Sequence, residues 1–137
     1  MPFIQTTIKN PTRSLTNINK ASATVMTTGF VLEQTAGLAV LGTAATTRAT
    51  MAGVCNQTIA AAEALTQVPV IETFEKDTWT VDSTNNSDAT HNGQLMVLGA
   101  SGGIVNNTGT TNAAGIVKQE GVYGTAAEKK IIVSFVQ

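Results

Sequence analysis

Charge is what this chain has least of. Residues 89–117 contain no Asp, Glu, Lys or Arg, and over all 137 residues only 12% are charged, for a net charge of −1. Soluble domains usually carry about 25%. Lys129-Lys130 is the only pair of adjacent basic residues, so nothing here steers a nucleic acid or an anionic membrane toward the surface. A single His and a single Cys supply neither a set of metal ligands nor a matched acid and base, which argues against catalytic residues, a metal site or a cofactor. Cys55 has no intrachain disulfide partner and reads as a buried small apolar side chain. No run approaches membrane-spanning length, and residues 1–20 lack the charged start and apolar stretch of a signal peptide. The expected place of the protein is therefore the cytoplasm in which it is made, or an assembly built there.

What the chain does have is aliphatic and hydroxyl-rich. Hydrophobic residues make up 42% of it but aromatic ones only 4%. The length suits one ordinary domain, with a thin core of Ala, Val, Leu and Ile that gains from covering its faces with other protein. That favours a homo-oligomer, expected to be a trimer. Residues 1–23 read differently from residues 24–137. Pro2 and Pro11 interrupt scattered apolar residues, and three of the eight basic residues, Lys9, Arg13 and Lys20, lie here without an acid. The expectation is an extended, cationic N-terminal arm, unable to fold on itself and ordered by a partner.

Beyond residue 24 the pattern is that of short strands. Met26, Phe30 and Leu32 share one face of a strand expected over 24–32, and Leu38-Ala39-Val40-Leu41 forms the next after Ala36-Gly37. Residues 47–59 are a weaker strand broken at Gly53, and 59–65 have the one helical composition, short enough for a turn or two. Val68 and Val70 alternate inward with Phe74; Trp79 and Val81 do so next, Trp79 giving the core its largest side chain. Residues 82–93 read as an Asn/Ser/Thr/Asp loop. Short strands follow at 95–98, 103–105, 115–117 and 130–136. This spacing predicts a mainly β domain, a small sandwich, barrel or β-tulip with at most one short helix, preceded by the arm.

The order Val68-Pro69-Val70, Asp77-Thr78-Trp79, Asp82-Ser83-Thr84-Asn85, His91-Asn92-Gly93-Gln94, Val105-Asn106-Asn107-Thr108-Gly109, Gly121-Val122-Tyr123-Gly124 and a closing Lys129-Lys130-Ile131 strand resembles the small decoration, or cement, proteins of tailed-phage heads. The resemblance covers roughly the C-terminal half. It implies a β-rich virion protein on the outside of an assembled capsid, often trimeric at junctions between capsomers and often reaching out by an N-terminal arm. The partner implied is the major capsid protein. Physical reasoning suits the role, because a protein that binds shell and not free subunits stabilises the shell by mass action, and several linked weak contacts reinforce one another. The arm residues expected to touch the shell are Phe3, Ile4, Ile8, Lys9, Arg13, Leu15 and Ile18. The aliphatic ones would fill pockets and the cations would meet acidic surface.

Competing constellations are weaker. His91 in Thr90-His91-Asn92-Gly93 has no nucleophile or carboxylate orienting it and reads as a solvated turn. Gly99-Ala100-Ser101-Gly102-Gly103 lacks the Lys-Ser/Thr that follows a phosphate loop. Asp82 and Asp88, with Asn85 and Asn86, are spaced unlike a calcium loop. Trp79 with Tyr123 offers too little for a sugar platform and reads as core. The alternative function is a surface adhesion or carbohydrate-binding β module, favoured by the Asn/Thr-rich loops.

Overall fold

The computed structural model describes residues 2–7, 15–63, 67–73 and 77–136. They form two β-sheets packed face to face. The first contains β1 (Ile4–Thr7), β7 (Thr78–Ser83), β8 (Leu95–Met96), β9 (Ile104–Val105), β10 (Val117–Tyr123) and β11 (Lys130–Phe135). Its order is β1-β7-β11-β10-β8, and β9 lies parallel to the end of β7. The second contains β2 (Leu15–Asn19), β3 (Val31–Thr35), β4 (Leu38–Leu41), β5 (Met51–Cys55) and β6 (Gln67–Ile71) in the antiparallel order β2-β6-β5-β3-β4. The mainly β, sandwich-like domain is the architecture that the alternating runs predict. Residues 89–91 and 126–128 form single 3-10 turns.

Alternation sends Trp79, Val81, Ile131, Val133 and Phe135 from the first sheet into the space between the layers, where Val31 and Val54 meet them from the second. Neighbours of those two residues point the other way. Leu32 and Cys55 join Met26, Ala39, Ile59, Val68 and Val70 in a second, smaller core. The second sheet thus buries both faces, which is why Val31-Leu32 and Val54-Cys55 are apolar pairs rather than apolar–polar ones. Its edges also meet. Lys20, following β2, forms a parallel bridge with Ala39 of β4, and the Ala21 amide donates to the Ala39 carbonyl at 3.1 Å. The sandwich therefore contains one sheet closed on itself at one end.

The N-terminal residues depart most from the sequence reading. Far from standing apart, β1 adds to the edge of β7, with Ile4 opposite Thr80, and β2 pairs with β6 at five successive positions. The apolar residues of this segment have no single period because the two strands serve different sheets. Phe3 is only 3% exposed, its ring 5.2 Å from Phe135 and 6.5 Å from Trp79, centroid to centroid. Lys20 is buried as well, its ammonium donating to the Thr24 carbonyl at 2.8 Å.

Smaller differences have local causes. The strand expected over 24–32 is broken by Gly29, whose φ of +81° turns the chain and whose missing side chain leaves room for Pro2. Met26 keeps only an isolated bridge to Ile59, and the strand proper starts at Val31. The helical composition at 59–65 amounts, over its described residues, to a turn in which the Glu63 carboxylate accepts from the Ala60 amide at 2.9 Å. Phe74 lies outside the described residues. The longest strand among the described residues, β10, continues to Tyr123 past the polar Lys118, Gln119 and Glu120.

Candidate functional site

Of the seven residues expected to contact a shell, the described ones do not form one surface. Phe3 belongs to the main core, and Ile18 is half-buried against the second core. Ile4 is exposed, at 49%, on edge strand β1. Leu15 begins β2 opposite Ile71. Ile8, Lys9 and Arg13 lie outside the described residues. The expectation of a separate contact arm is corrected to this extent: residues 4–7 and 15–19 are structural strands of the sandwich.

The charge-free stretch divides: Met96, Leu98, Val105, Ile116 and Val117 enter the main core, and its loops form a polar region beside residues 84–88. There the loop after β7 and the loop after β9 are held together by reciprocal amide contacts. Asn107, 1% exposed, accepts from the Asn85 amide at 2.8 Å and donates to the carbonyls of Asn85 and Asn86 at 3.2 and 3.1 Å. Beside them Asp88 caps the turn Ala89–His91 by accepting from the Thr90 amide at 2.8 Å, and this hydrogen bond, followed by one from the Thr90 hydroxyl, holds its carboxyl below the usual range. Gln119 reaches the same loop from inside β10, donating to the Asp88 carbonyl at 2.8 Å and to Asn92 Oδ1 at 2.9 Å. Its complete burial explains why β10 escapes a hydrophobic-pattern reading: an inward position of the strand is filled by a carboxamide. Around this framework Asn92, Thr108, Thr110, Thr111 and Asn112 are exposed hydroxyls and amides.

The other sequence motifs resolve into structural roles. His91 is half-buried rather than solvated, with Nε2 3.8 Å from Asp88 Oδ2. Gly102 and Gly103 are buried against the second sheet, where a Cβ would come within 2.7 Å of the Val31 carbonyl oxygen and 2.5 Å of the Phe30 ring. The Gly99–103 segment is a packing turn, and the Val31 amide donates to the Gly102 carbonyl at 2.9 Å. Trp79 is core, whereas Tyr123 is 51% exposed on the outer face of β10, so the two aromatics do not share a platform. Arg48 is spent as a brace, its Nε donating to the Gly115 carbonyl at 2.9 Å. Among the described residues no three His, Cys, Asp or Glu side chains gather as metal ligands.

Cys55 is buried in the second core and its thiol donates to the Gln57 carbonyl at 3.0 Å. Burial outweighs that hydrogen bond and pushes the thiol above its ordinary pKa of 9.0. Since the thiolate is the reactive form, Cys55 is expected to resist Ellman's reagent at pH 8 in the native protein and to react at once in denaturant. Native reaction at the denatured rate would contradict its burial.

A concave surface lies at the closed end of the second sheet, with a volume of about 600 Å³. Asn17 and Asn19 of β2, Gln34 of β3, Gln67 of β6 and Glu72 contribute to its walls. Nothing in the sequence marked it, because it is assembled by the meeting of two edges far apart in the chain. No protein-family model matches the chain, and no curated protein matches it.

Proposed function

We propose that this protein is a structural decoration protein that binds the outside of an assembled phage capsid and stabilises it by bridging capsid subunits, working as a homotrimer. The observation that carries the reading is the continuous charge-free stretch 89–117, whose loops supply an exposed hydroxyl- and amide-rich surface braced by buried hydrogen bonds. A rigid surface of this kind, made of hydroxyls and amides beside the exposed Asp88, suits shape-matched contact with a protein lattice, because little is rearranged on docking and few charges must be desolvated. The exposed aliphatic side chains Ile4, Val25 and Leu38 are candidates for additional contacts between copies or with the shell. The similarity in residue order to phage cement proteins points the same way.

The test is cosedimentation of the purified protein with assembled heads and with unassembled capsid protein. Binding to heads alone is the expected result, with sedimentation equilibrium giving a trimer. Because the proposed contact is poor in charge, raising salt well above physiological strength should change the bound fraction little, whereas contacts between exposed charges would be screened. Equal binding to free subunits, or none to heads, would refute the reading.

A further inference from the structure

We infer that the concave surface at the closed end of the second sheet is a binding site for a neutral oligosaccharide. Four carboxamides, those of Asn17, Asn19, Gln34 and Gln67, line it together with Thr16 and the Glu72 carboxylate. Carboxamides are neutral side chains that both donate and accept, which is what a ligand made of hydroxyl groups needs. The Thr16 hydroxyl donates to Glu72 Oε1 at 3.1 Å, fixing the carboxylate as an acceptor for ligand hydroxyls. Ile18, Met51 and Ala52, all half-buried, add apolar surface against which the C–H face of a sugar ring can rest.

Charge narrows the class. Among the described residues no Lys or Arg lines the groove and one carboxylate does, so sulfated, phosphorylated or sialylated ligands meet a negative charge without a counter-ion from these walls. A peptide is disfavoured for a different reason. Peptides commonly bind sheets by adding a strand to an open edge, and here the Lys20–Ala39 bridge and the Ala21-to-Ala39 hydrogen bond already join the two edge strands. Recognition is left to side chains. The site is independent of the capsid reading and would stand if that reading failed.

The experiment is a 15N-labelled titration of the full chain, following side-chain amide resonances with cellotriose, maltotriose and, as an acidic control, sialyllactose. Shifts at Asn17, Asn19, Gln34 and Gln67 with at least one neutral trisaccharide, and not at Asn85 or Asn107, are expected. The exposed pair Gln34→Ala and Gln67→Ala together should weaken binding about tenfold, the effect of losing two modest hydrogen bonds, while leaving backbone shifts elsewhere unchanged. The inference is overturned if neither neutral trisaccharide shifts these residues, if sialyllactose binds as well as they do, or if the double variant binds unchanged.

Discussion

Removing residues 1–23 should unfold the protein rather than release a dispensable tail. The truncation takes away Phe3, which packs against Trp79 and Phe135 in the main core, and it strips β1 from the edge of β7. Gln5, whose side chain donates to the fully buried Asp77 at 3.3 Å, goes with it. At the other sheet, loss of β2 unpairs five positions of β6, and loss of Lys20 opens the closed end above the second core. A buried Phe→Ala change alone costs about 3–5 kcal/mol, against a total stability of about 5–15 kcal/mol for a domain. Phe3→Ala is therefore expected to lower the urea midpoint sharply while preserving a cooperative transition. The 24–137 fragment should show no cooperative transition and no near-ultraviolet signal from Trp79. A fragment that melts like the full chain would mean that the first 23 residues hold nothing together.

This outcome bears on what a sequence can disclose. Trp79, Val81, Val68 and Val70 announce their faces because each strand alternates cleanly and the residues between them are polar or partly exposed. The N-terminal strands do not, since Phe3 serves one core and Ile18 the other, and no local periodicity spans that change of sheet. β10 is hidden for a chemical reason. Gln119 occupies a core position only because the Asp88 carbonyl and Asn92 side chain wait for its amide there, a partnership between positions far apart in sequence. The amide-lined groove is less legible still, for its walls come from β2, β3, β5 and β6, which only the fold brings together. What composition does convey is the neutrality of residues 89–117, which survives folding because it depends on no pairing.

Two glycines that look alike in the sequence should respond to the same substitution with opposite signs. Gly53 lies in β5, where the pairing with β3 slips: Leu32 stands opposite Gly53 but Glu33 opposite Met51. Its φ of +142° is one that side chains avoid, and a Cβ there would come within 2.5 Å of the Ile71 carbonyl oxygen and 2.6 Å of Val70 Cγ1. The first of these is backbone in the neighbouring strand and cannot step aside without moving β6. Backbone strain of about 1–3 kcal/mol and overpacking of about 1–3 kcal/mol combine, so Gly53→Ala should destabilise the domain by roughly 3 kcal/mol or more. Gly121 in β10 has no positive φ, and a Cβ there would meet only Ile132, at 3.8 Å and beyond. With ordinary contact and no strain, Gly121→Ala acts mainly by restricting the unfolded chain and should stabilise by about 0.4–1 kcal/mol. Urea denaturation of both variants with unchanged m-values would measure the pair. Equal and small effects would show that the slip at Gly53 does not require a bare backbone.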